Sequence, residues 1–416
     1  MNKRNIKQLS DEYLRSIIFP DAELLPSVTE IFELKLANLE YSSLQRKYRR
    51  DRLAYFQSYD SQNTLHFDLC NSRNTDLAKG RSSFTKSYFE VGRFSTGYAT
   101  HSLFPYRGKF HPQLIKAIFN IIGLYPGDVV LDPMCGSGTT IVEATLSNIK
   151  SIGYDISPFC VLMSKCKNNS LFLNDTDRLL ALKKSKDELF SKFSEQSCDF
   201  TDILDENEHR VIQLALLAFY DSMGYSLRVK TNSHKQLFSQ VLDRYVNTVI
   251  DFIQFKNSHS ISLENPIEIS VQSATKIPLS NDSIDGIITS PPYSFAIDYS
   301  ANDKPQLEHL GYDVPILKDK MIGLKGRGKT EKLEIYFKDM RKVCQEASRV
   351  LKKDKYFVLI IGSNTNQTGG IRLEEPMIKF CKESNLCFEH AIIKPIKGMR
   401  NTMKEEHILF FKKPKE

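Results

Sequence analysis

Residues 125–158 constrain the fold of this chain more than any other part of its sequence. They read, in order, PGDVVLD, PMCGSGTT, IVEATLSNI and KSIGYDIS, which is a turn with a short apolar run, a glycine-rich loop, a helical run and a second apolar run. A strand, a loop, a helix and a further strand in this order form a βαβ unit, whose two strands are parallel. The sequence therefore predicts an α/β fold.

Later apolar runs supply further strands of the same sheet. IDGIITSPPY precedes the amphipathic segment 336–351 and YFVLIIGSN follows it, while LCFEHAIIKPIKG and EEHILFFKK have the pattern of an antiparallel hairpin that closes the sheet edge. Long helical periodicities fill much of the region between the first strands and these runs. We expect three parts: a mostly helical N-terminal region at 1–94, an α/β domain at 95–168 and 266–416, and a helical insertion at 169–265.

Composition excludes several classes of protein. The longest apolar stretches are too short and too interrupted to cross a bilayer, and the charged start MNKRNIKQ is not followed by an apolar signal core. We therefore expect a cytoplasmic protein that does not contact a membrane. The eight cysteines are scattered and include no CxxC pair, which predicts free thiols and no metal site. The formal net charge of +7 favours a polyanionic partner.

The glycine-rich loop has the pattern of a nucleoside site. Asp132 ends the preceding strand, and Gly136 and Gly138 follow in a DxxxGxG spacing that lets the backbone turn tightly and approach a ligand. The loop lacks the GKS or GKT ending of a triphosphate site. The next strand ends with Asp155, where doubly wound folds hydrogen-bond a ribose hydroxyl. A nucleoside-containing ligand is predicted, and the spacing alone leaves a nicotinamide dinucleotide open.

The tetrapeptide SPPY, residues 290–293, directly follows an apolar strand and so lies at the carboxyl end of the sheet. Pro291 and Pro292 fix the backbone in a rigid extended turn. The Ser290 hydroxyl and the Pro291 carbonyl are acceptors for the two hydrogens of an exocyclic amine on a base. Tyr293 offers a face for stacking once the base has left the duplex. The pattern predicts chemistry on a base amine without a covalent intermediate.

Four ordered motifs resemble those of the amino-methylating DNA methyltransferases, which share the class I Rossmann-like methyltransferase fold. DPMCGSGTT is similar to the cofactor loop of that family, GYDIS to its ribose-binding strand end, SPPY to its catalytic tetrapeptide, and HSLFPYRGKFHPQL to the segment before its first strand. The resemblance makes 95–168 and 266–416 the catalytic domain. It implies S-adenosyl-L-methionine as the cofactor and double-stranded DNA with a flipped target base as the partner.

The resemblance also gives roles to individual residues. It makes Ser290, Pro291, Pro292 and Tyr293 the methyl-transfer site. The cofactor residues that it implies are Asp132, Pro133, Cys135, Gly136, Gly138, Thr139, Asp155, Phe110 and Pro112. The family usually has an acidic residue near the adenine amine, whereas this chain reads VQSAT there, so Ser273 and Ala274 are expected to meet adenine through their backbone.

The serine of SPPY helps to predict which base is methylated. SPPY in place of DPPY is typical of the N4-cytosine members, so the expected activity is methylation of cytosine N4 in DNA. N6-adenine methylation, RNA base methylation of the guanine-N2 type and a non-catalytic DNA-binding subunit are the alternatives. No Pro-Cys dipeptide occurs, which argues against the cysteine route to 5-methylcytosine. A cognate restriction endonuclease is a candidate partner.

Basic side chains mark candidate DNA contacts. Residues 300–332 are expected to form a loop whose lysines and arginine stand among glycines, a composition that suits phosphates. The candidates are Lys320, Lys325, Arg327 and Lys329 there, and Lys394, Lys397 and Arg400 on the final hairpin. The insertion at 169–265 is a candidate target-recognition region.

Overall fold

The structure, a computed structural model, contains two compact units, residues 1–98 with 110–123 and residues 99–109 with 124–416. It describes residues 18–25, 28, 31–72, 97–106, 108–195, 209–226, 233–293, 298–363, 368, 370–396 and 405–415. Within these ranges no helix is both long enough and apolar enough to span a membrane.

The first unit combines helices with a small sheet. Its strands β1 (Ala22–Leu24), β2 (Phe56–Tyr59) and β3 (Gln62–Asn63) form an antiparallel sheet in that order. The sequence analysis missed this sheet because its strands are only two to four residues long and carry no alternating pattern. In the described ranges the unit contains the helices α1 (Ile31–Ser43), α2 (Arg46–Arg52), α3 (Leu65–Asn71) and α4 (Pro112–Ile121).

The second unit is built on a seven-stranded sheet. Its strands are β4 (Val129–Asp132), β5 (Lys150–Asp155), β6 (Glu268–Val271), β7 (Ile284–Thr289), β8 (Leu351–Gly362), β9 (Cys387–Pro395) and β10 (Glu405–Lys412), in the order β6-β5-β4-β7-β8-β10-β9. Strands β4 to β8 are parallel to one another, and β10 is antiparallel to both β8 and β9. This confirms the predicted class I Rossmann-like methyltransferase sheet with a terminal antiparallel hairpin.

Helices pack against this sheet, and its central strands β4, β5 and β7 are largely buried as a result. All six residues of β7 are buried, as expected of a parallel strand enclosed on two sides. The helices that follow or precede the strands are α5 (Thr139–Leu146), α6 (Pro158–Ser170), α14 (Gly328–Val350) and α15 (Glu374–Glu383). The first βαβ unit therefore forms where the sequence predicted it.

The helical insertion has its own packing. It contains α7 (Thr176–Lys184), α8 (Lys186–Ser194), α9 (Arg210–Ser226) and α10 (His234–His259). Helices α7 and α8 meet at Ser185, which ends the first and precedes the second. Leucine and phenylalanine side chains of these helices share one core with α6, so helices α7 to α10 pack on the rest of the second unit through apolar contacts.

Residues 300–332 are largely helical, so the expectation of a loop there was wrong. They contain α11 (Tyr299–Asn302), α12 (Lys304–His309), α13 (Val314–Lys318) and the start of α14. Leu307, Leu317 and Met321 are buried in the core of the insertion helices. The Asp313 carboxylate caps α13 by accepting a hydrogen bond from the N–H of Ile316, at 3.0 Å. The glycines and lysines of this segment are typical of a loop, so its composition did not indicate these short helices.

Candidate active site at the carboxyl edge of the sheet

Asp132, at the end of β4, is a fully buried carboxylate that links the start of α5 to the end of β7. Its Oδ2 accepts a hydrogen bond from the Thr140 hydroxyl at 2.7 Å, and its Oδ1 accepts one from the Thr289 hydroxyl at 2.9 Å. The N–H of Met134 adds a longer bond of 3.2 Å. Burial raises the pKa of Asp132 to about 7, although the hydrogen bonds from these three donors lower it. Asp132 therefore ties the glycine-rich loop to the last residue before SPPY.

The two glycines of the loop serve different purposes. Gly136 has a φ of +49°, and a Cβ built on it would lie 3.8 Å from its nearest neighbour, the Tyr106 ring. A ligand can therefore approach its backbone closely. Gly138 has a φ of +78°, and a Cβ there would come within 2.8 Å of the Ser164 hydroxyl and 3.0 Å of the Ser164 Cα. Gly138 is required for the packing of α6.

Asp155, at the end of β5, is held against the same loop. Its Oδ2 accepts a hydrogen bond from the N–H of Gly136 at 2.8 Å, and its Oδ1 accepts one from the N–H of Ser157 at 2.8 Å. Burial raises the pKa of Asp155. Each carboxylate oxygen has two lone pairs, so both can accept a further hydrogen from a ligand.

Other predicted cofactor residues point elsewhere or belong to the other unit. The Cys135 side chain packs on Ile141 and Val161, so only its backbone is available to a ligand. Burial raises the pKa of its thiol, which makes it a poor nucleophile. Ala274 is buried in the sheet core, and the Ser273 hydroxyl bonds that of Thr275 at 2.9 Å. Pro133 is buried. Phe110 and Pro112 lie in the first unit, and their contact with a cofactor stays a prediction.

Two residues that the sequence analysis missed lie beside Asp155. Asp303, which precedes α12, is only 6% exposed and does not cap its own helix. Burial and the neighbouring charge of Asp155 raise the pKa of Asp303 to about 7, and a hydrogen bond from Tyr106 opposes them. The Tyr106 hydroxyl also lies 3.5 Å from the Cys160 Sγ. Tyr106 belongs to the HSLFPYRGKFHPQL motif, which was a usable signal, whereas no local pattern marks Asp303.

The SPPY tetrapeptide begins where β7 ends, as predicted. Ser290 and Tyr293 are both half-buried, and the Ser290 hydroxyl lies 3.3 Å from the Tyr293 hydroxyl. The Tyr293 hydroxyl in turn donates to Glu406 Oε1 on β10 at 3.0 Å. The terminal hairpin therefore contacts the tetrapeptide directly. Glu406 is a third residue that the sequence analysis did not identify.

The candidate DNA-contacting side chains differ in their surroundings. Lys320, Arg327 and Lys329 are exposed. The amino groups of the remaining two described lysines make ion pairs at 2.7 Å, Lys325 with Asp339 and Lys394 with Glu406. Lys397 and Arg400 lie outside the described residues.

A comparison with known families decides the class of protein. A family model for N6- and N4-methylating enzymes, described as DNA methylase, matches residues 28–165 and 284–416, which is more than half of the chain. The chain belongs to this DNA methylase family. Its two matched segments contain the glycine-rich loop, Asp155 and SPPY, so the resemblance noted from the motifs is confirmed.

Three individual relatives are all methyltransferases. The type II methyltransferase M.MjaII of Methanocaldococcus jannaschii is 40% identical over 96 residues, 22% of this chain and 17% of the relative. The type II methyltransferase M.BsoBI of Geobacillus stearothermophilus is 25% identical over 271 residues, 51% of this chain and 53% of the relative. A tRNA (guanine(10)-N2)-dimethyltransferase of Methanothermobacter thermautotrophicus is 40% identical over 53 residues, 13% of this chain and 16% of the relative. The chain thus spans at most about half the length of these relatives.

Solved structures resemble the chain only loosely. A SAM-dependent methyltransferase of Methanosarcina mazei aligns with 70% of this chain and 95% of its own, at a TM-score of 0.33 and 10% identity. TrmN of Thermus thermophilus aligns with 74% of this chain and 50% of its own, at a TM-score of 0.32 and 12% identity.

The cofactor of this DNA methylase is S-adenosyl-L-methionine, and the residues at the loop fit it. The Gly136 backbone is open to close approach, and the carboxylates of Asp155 and Asp303 suit ribose hydroxyls and positive charge. The Thr139 hydroxyl is buried and has no hydrogen-bond partner among the residues that the structure describes. Within the same ranges no group of His, Cys, Asp and Glu side chains could hold a metal ion.

Proposed function

We propose that this DNA methylase transfers a methyl group from S-adenosyl-L-methionine to N4 of cytosine in double-stranded DNA. One observation carries the proposal: SPPY starts at the carboxyl end of β7, and the Thr289–Asp132 hydrogen bond of 2.9 Å joins it to the glycine-rich loop. The group that would orient an amine and the loop that would hold the cofactor are therefore fixed to each other. Methyl transfer depends on such fixed positions.

To catalyse this reaction the protein has to orient a weak nucleophile. S-adenosyl-L-methionine supplies a methyl group made electrophilic by its positively charged sulfur. An exocyclic base amine is a poor nucleophile because its lone pair is delocalised into the ring. Ser290 Oγ and the Pro291 carbonyl would each accept one amine hydrogen and so direct the nitrogen lone pair at the methyl group. The amine becomes acidic as the methyl group arrives, and it then releases one of its two protons to water. A neutral serine favours cytosine over adenine as the target, following the SPPY tendency.

Tyr293 would stack on the target base after the base has left the duplex. A base inside the helix cannot reach a site at the edge of a sheet, so flipping is part of the proposal. Stacking on an aromatic ring is worth about 1–3 kcal/mol per base. The exposed side chains of Lys320, Arg327 and Lys329 would hold the neighbouring phosphates.

An RNA base is the second candidate target, because the tRNA (guanine(10)-N2)-dimethyltransferase relatives share stretches with this chain that are 40% and 47% identical. The N2 amine of guanine is also an exocyclic amine, so the same two acceptors could orient it. DNA is favoured because the family model, described as DNA methylase, matches more than half of the chain, whereas the tRNA methyltransferase relatives match only 13% and 11% of it. A cognate restriction endonuclease is the partner that we propose on the basis of these two relatives' type II names.

Nucleoside mass spectrometry on DNA and RNA from cells that express the protein tests the target. We expect N4-methylcytosine in DNA, and loss of it in cells that express Ser290→Ala. In single-turnover reactions Ser290→Ala should slow methyl transfer about 100- to 1000-fold with cofactor affinity little changed. Ser283→Ala is the matched control, because that hydroxyl bonds the Ser280 carbonyl at the far end of β7. N6-methyladenine, 5-methylcytosine or methylation of RNA alone would refute the proposal.

A further inference from the structure

A chain of hydrogen bonds leads from the tetrapeptide to the terminal hairpin. The Ser290 hydroxyl lies 3.3 Å from the Tyr293 hydroxyl, and the Tyr293 hydroxyl lies 3.0 Å from Glu406 Oε1. The other oxygen of Glu406 accepts a hydrogen bond from Lys394 Nζ at 2.7 Å. The four polar groups thus form one continuous line from the candidate target amine into the protein.

The hairpin holds the far end of this line in place. Glu406 lies in β10, paired on one side with Gly362 of β8 and on the other with Lys394 of β9. Its side chain is 19% exposed and that of Lys394 is 26% exposed, so the ion pair is mostly shielded from water. Pairing with strands on both sides fixes the backbone of Glu406 in the sheet. The ion pair with Lys394 then limits the movement of its carboxylate.

The chemistry of the end group determines the direction of every bond in the line. A carboxylate in an ion pair only accepts hydrogen bonds, so the Tyr293 hydroxyl must donate its single proton to Glu406. Towards Ser290 the tyrosine oxygen can then only accept. The Ser290 proton consequently points at Tyr293, and the lone pairs of Ser290 Oγ stay available on its remaining side. A serine hydroxyl without such a constraint would rotate and could donate instead.

We propose that Glu406 is a positioning residue that keeps Ser290 as a hydrogen-bond acceptor for the target amine. This inference deepens the proposed function and rests on it. If the Ser290 hydroxyl turned its proton towards the base, that proton would face an amine hydrogen and no hydrogen bond could form. The amine would then lose one of the two hydrogen bonds that orient it. Glu406 acts through Tyr293 and Ser290 and does not itself contact the base. Lys394 acts one step further away by holding the second oxygen of Glu406.

Glu406→Gln tests the direction of the line with almost no change of shape. Lys394 is a donor only, so it would take the carbonyl oxygen of the new amide and turn the NH₂ group towards Tyr293. Tyr293 would then accept from the amide and donate to Ser290. We expect methyl transfer in a single turnover to slow about 10- to 100-fold, less than the loss in Ser290→Ala, with the affinities for cofactor and DNA little changed.

A second substitution should restore part of the rate. In the double variant Glu406→Gln/Lys394→Met no ammonium group claims the carbonyl oxygen, so the amide can turn and accept from Tyr293 as the glutamate does. We expect the double variant to transfer methyl at least several-fold faster than Glu406→Gln alone. A purely structural role for the ion pair predicts that removing both partners is no better than removing one.

Glu405→Gln is the matched control on the same strand. Alternation along β10 directs Glu405 to the opposite face, where it pairs with Arg372 at 2.7 Å, so its substitution should leave methyl transfer unchanged. Tyr293→Phe gives an independent measurement, since it leaves Glu406 and Lys394 intact. It removes the bond that holds the Ser290 proton and should also slow transfer about 10-fold or more. If Tyr293 served only for stacking, phenylalanine would preserve the rate.

The outcomes separate this inference from the proposed function. Slow transfer by Glu406→Gln and Tyr293→Phe, with recovery in the double variant, supports the role of Glu406. Wild-type rates in Glu406→Gln or Tyr293→Phe, or a double variant no faster than Glu406→Gln, would overturn it. A wild-type protein that methylates adenine N6 would contradict the proposed base and leave the test of Glu406 valid, because that target is also an amine. A wild-type protein that methylates no nucleic acid would overturn both.

Discussion

Replacing Asp303 with asparagine should stabilise the cofactor-free protein at pH 8 and weaken its binding of S-adenosyl-L-methionine. Asp303 is 6% exposed, and burial together with the charge of Asp155 raises its pKa from 3.8 to about 7. At ~1.4 kcal/mol for each pH unit between these values, keeping the ionised side chain in the folded protein costs on the order of 4 kcal/mol. An asparagine has nearly the same shape and avoids this cost, and its carbonyl can still accept from Tyr106.

The sign of the pH dependence follows from the raised pKa. The folded protein holds the Asp303 proton up to about pH 7, whereas the unfolded chain releases it near 3.8. The stability associated with this group is therefore complete below the unfolded pKa and is lost as the pH rises through the folded pKa. Relative to the wild type, Asp303→Asn should gain stability from about pH 4 to about pH 7 and show a constant difference above that.

Thermal unfolding of the wild type and the variant at pH 5 and pH 8 measures this difference. Asp298→Asn is a control of opposite sign in the same segment. Burial raises the Asp298 pKa, but hydrogen bonds from Lys318 and Ser300 outweigh it and lower the pKa. Losing that ion pair of 2.6 Å should therefore destabilise the protein at pH 8. A difference between wild type and Asp303→Asn that is the same at both pH values would refute the reasoning for Asp303.

Calorimetry at pH 8 measures how the substitution changes the affinity for S-adenosyl-L-methionine. The cofactor carries positive charge, and a hydrogen bond to a charged group is worth about 1.5–3 kcal/mol, so affinity should fall roughly 10- to 100-fold in Asp303→Asn. Unchanged affinity in a variant that shows the expected stabilisation would mean that Asp303 is buried near the loop without contacting the cofactor.

Three further predictions concern the loop, its link to SPPY and the basic surface. Asp155→Ala should weaken cofactor binding measured by calorimetry, because it removes the proposed ribose acceptor and the partner of the Gly136 N–H; tight binding of NAD in place of S-adenosyl-L-methionine by the wild type would contradict the assignment. Thr289→Val should lower the free energy of unfolding in urea by about 1–3 kcal/mol, since it removes a donor from buried Asp132; an unchanged midpoint would show that the bond contributes nothing. Arg327→Gln with Lys329→Gln should weaken binding to all DNA sequences alike and flatten the salt dependence by about one unit of slope for each phosphate that is no longer neutralised; a changed sequence preference at an intact slope would make these residues base readers.

The local sequence pattern predicted the elements that position the site, because the strand, the loop and the helix of the first βαβ unit each have a recognisable pattern within a few residues. The same holds for SPPY, which directly follows a buried strand, and for the terminal hairpin. Contacts between distant parts of the chain had no such signature. Asp303 meets Tyr106, and Tyr293 meets Glu406, across more than a hundred residues of sequence in each case. Periodicity cannot reveal which distant side chains a sheet will bring together.

The segment 300–332 was misread for a related reason. Its glycines and lysines favour a loop when composition alone is considered. Its short helices are stabilised by leucines and a methionine that pack on the insertion, a partner that lies far away in the sequence. The sequence predicts Lys325 as a DNA contact, and the structure shows it paired with Asp339. A charged side chain can be assigned to an external partner only after its internal partners are known.

The four carboxylates at this edge of the sheet differ in where their partners come from. Asp132 accepts from two threonine hydroxyls and the Met134 N–H, Asp155 from backbone N–H groups, and Glu406 from Tyr293 and Lys394. Asp303 has the hydrogen bond from Tyr106 and, within the described residues, no ion pair. A nearly buried carboxylate with so little support from the protein is costly while the site is empty. A cationic ligand would supply the missing partner, which is why substitution of Asp303 should change stability and cofactor affinity in opposite directions.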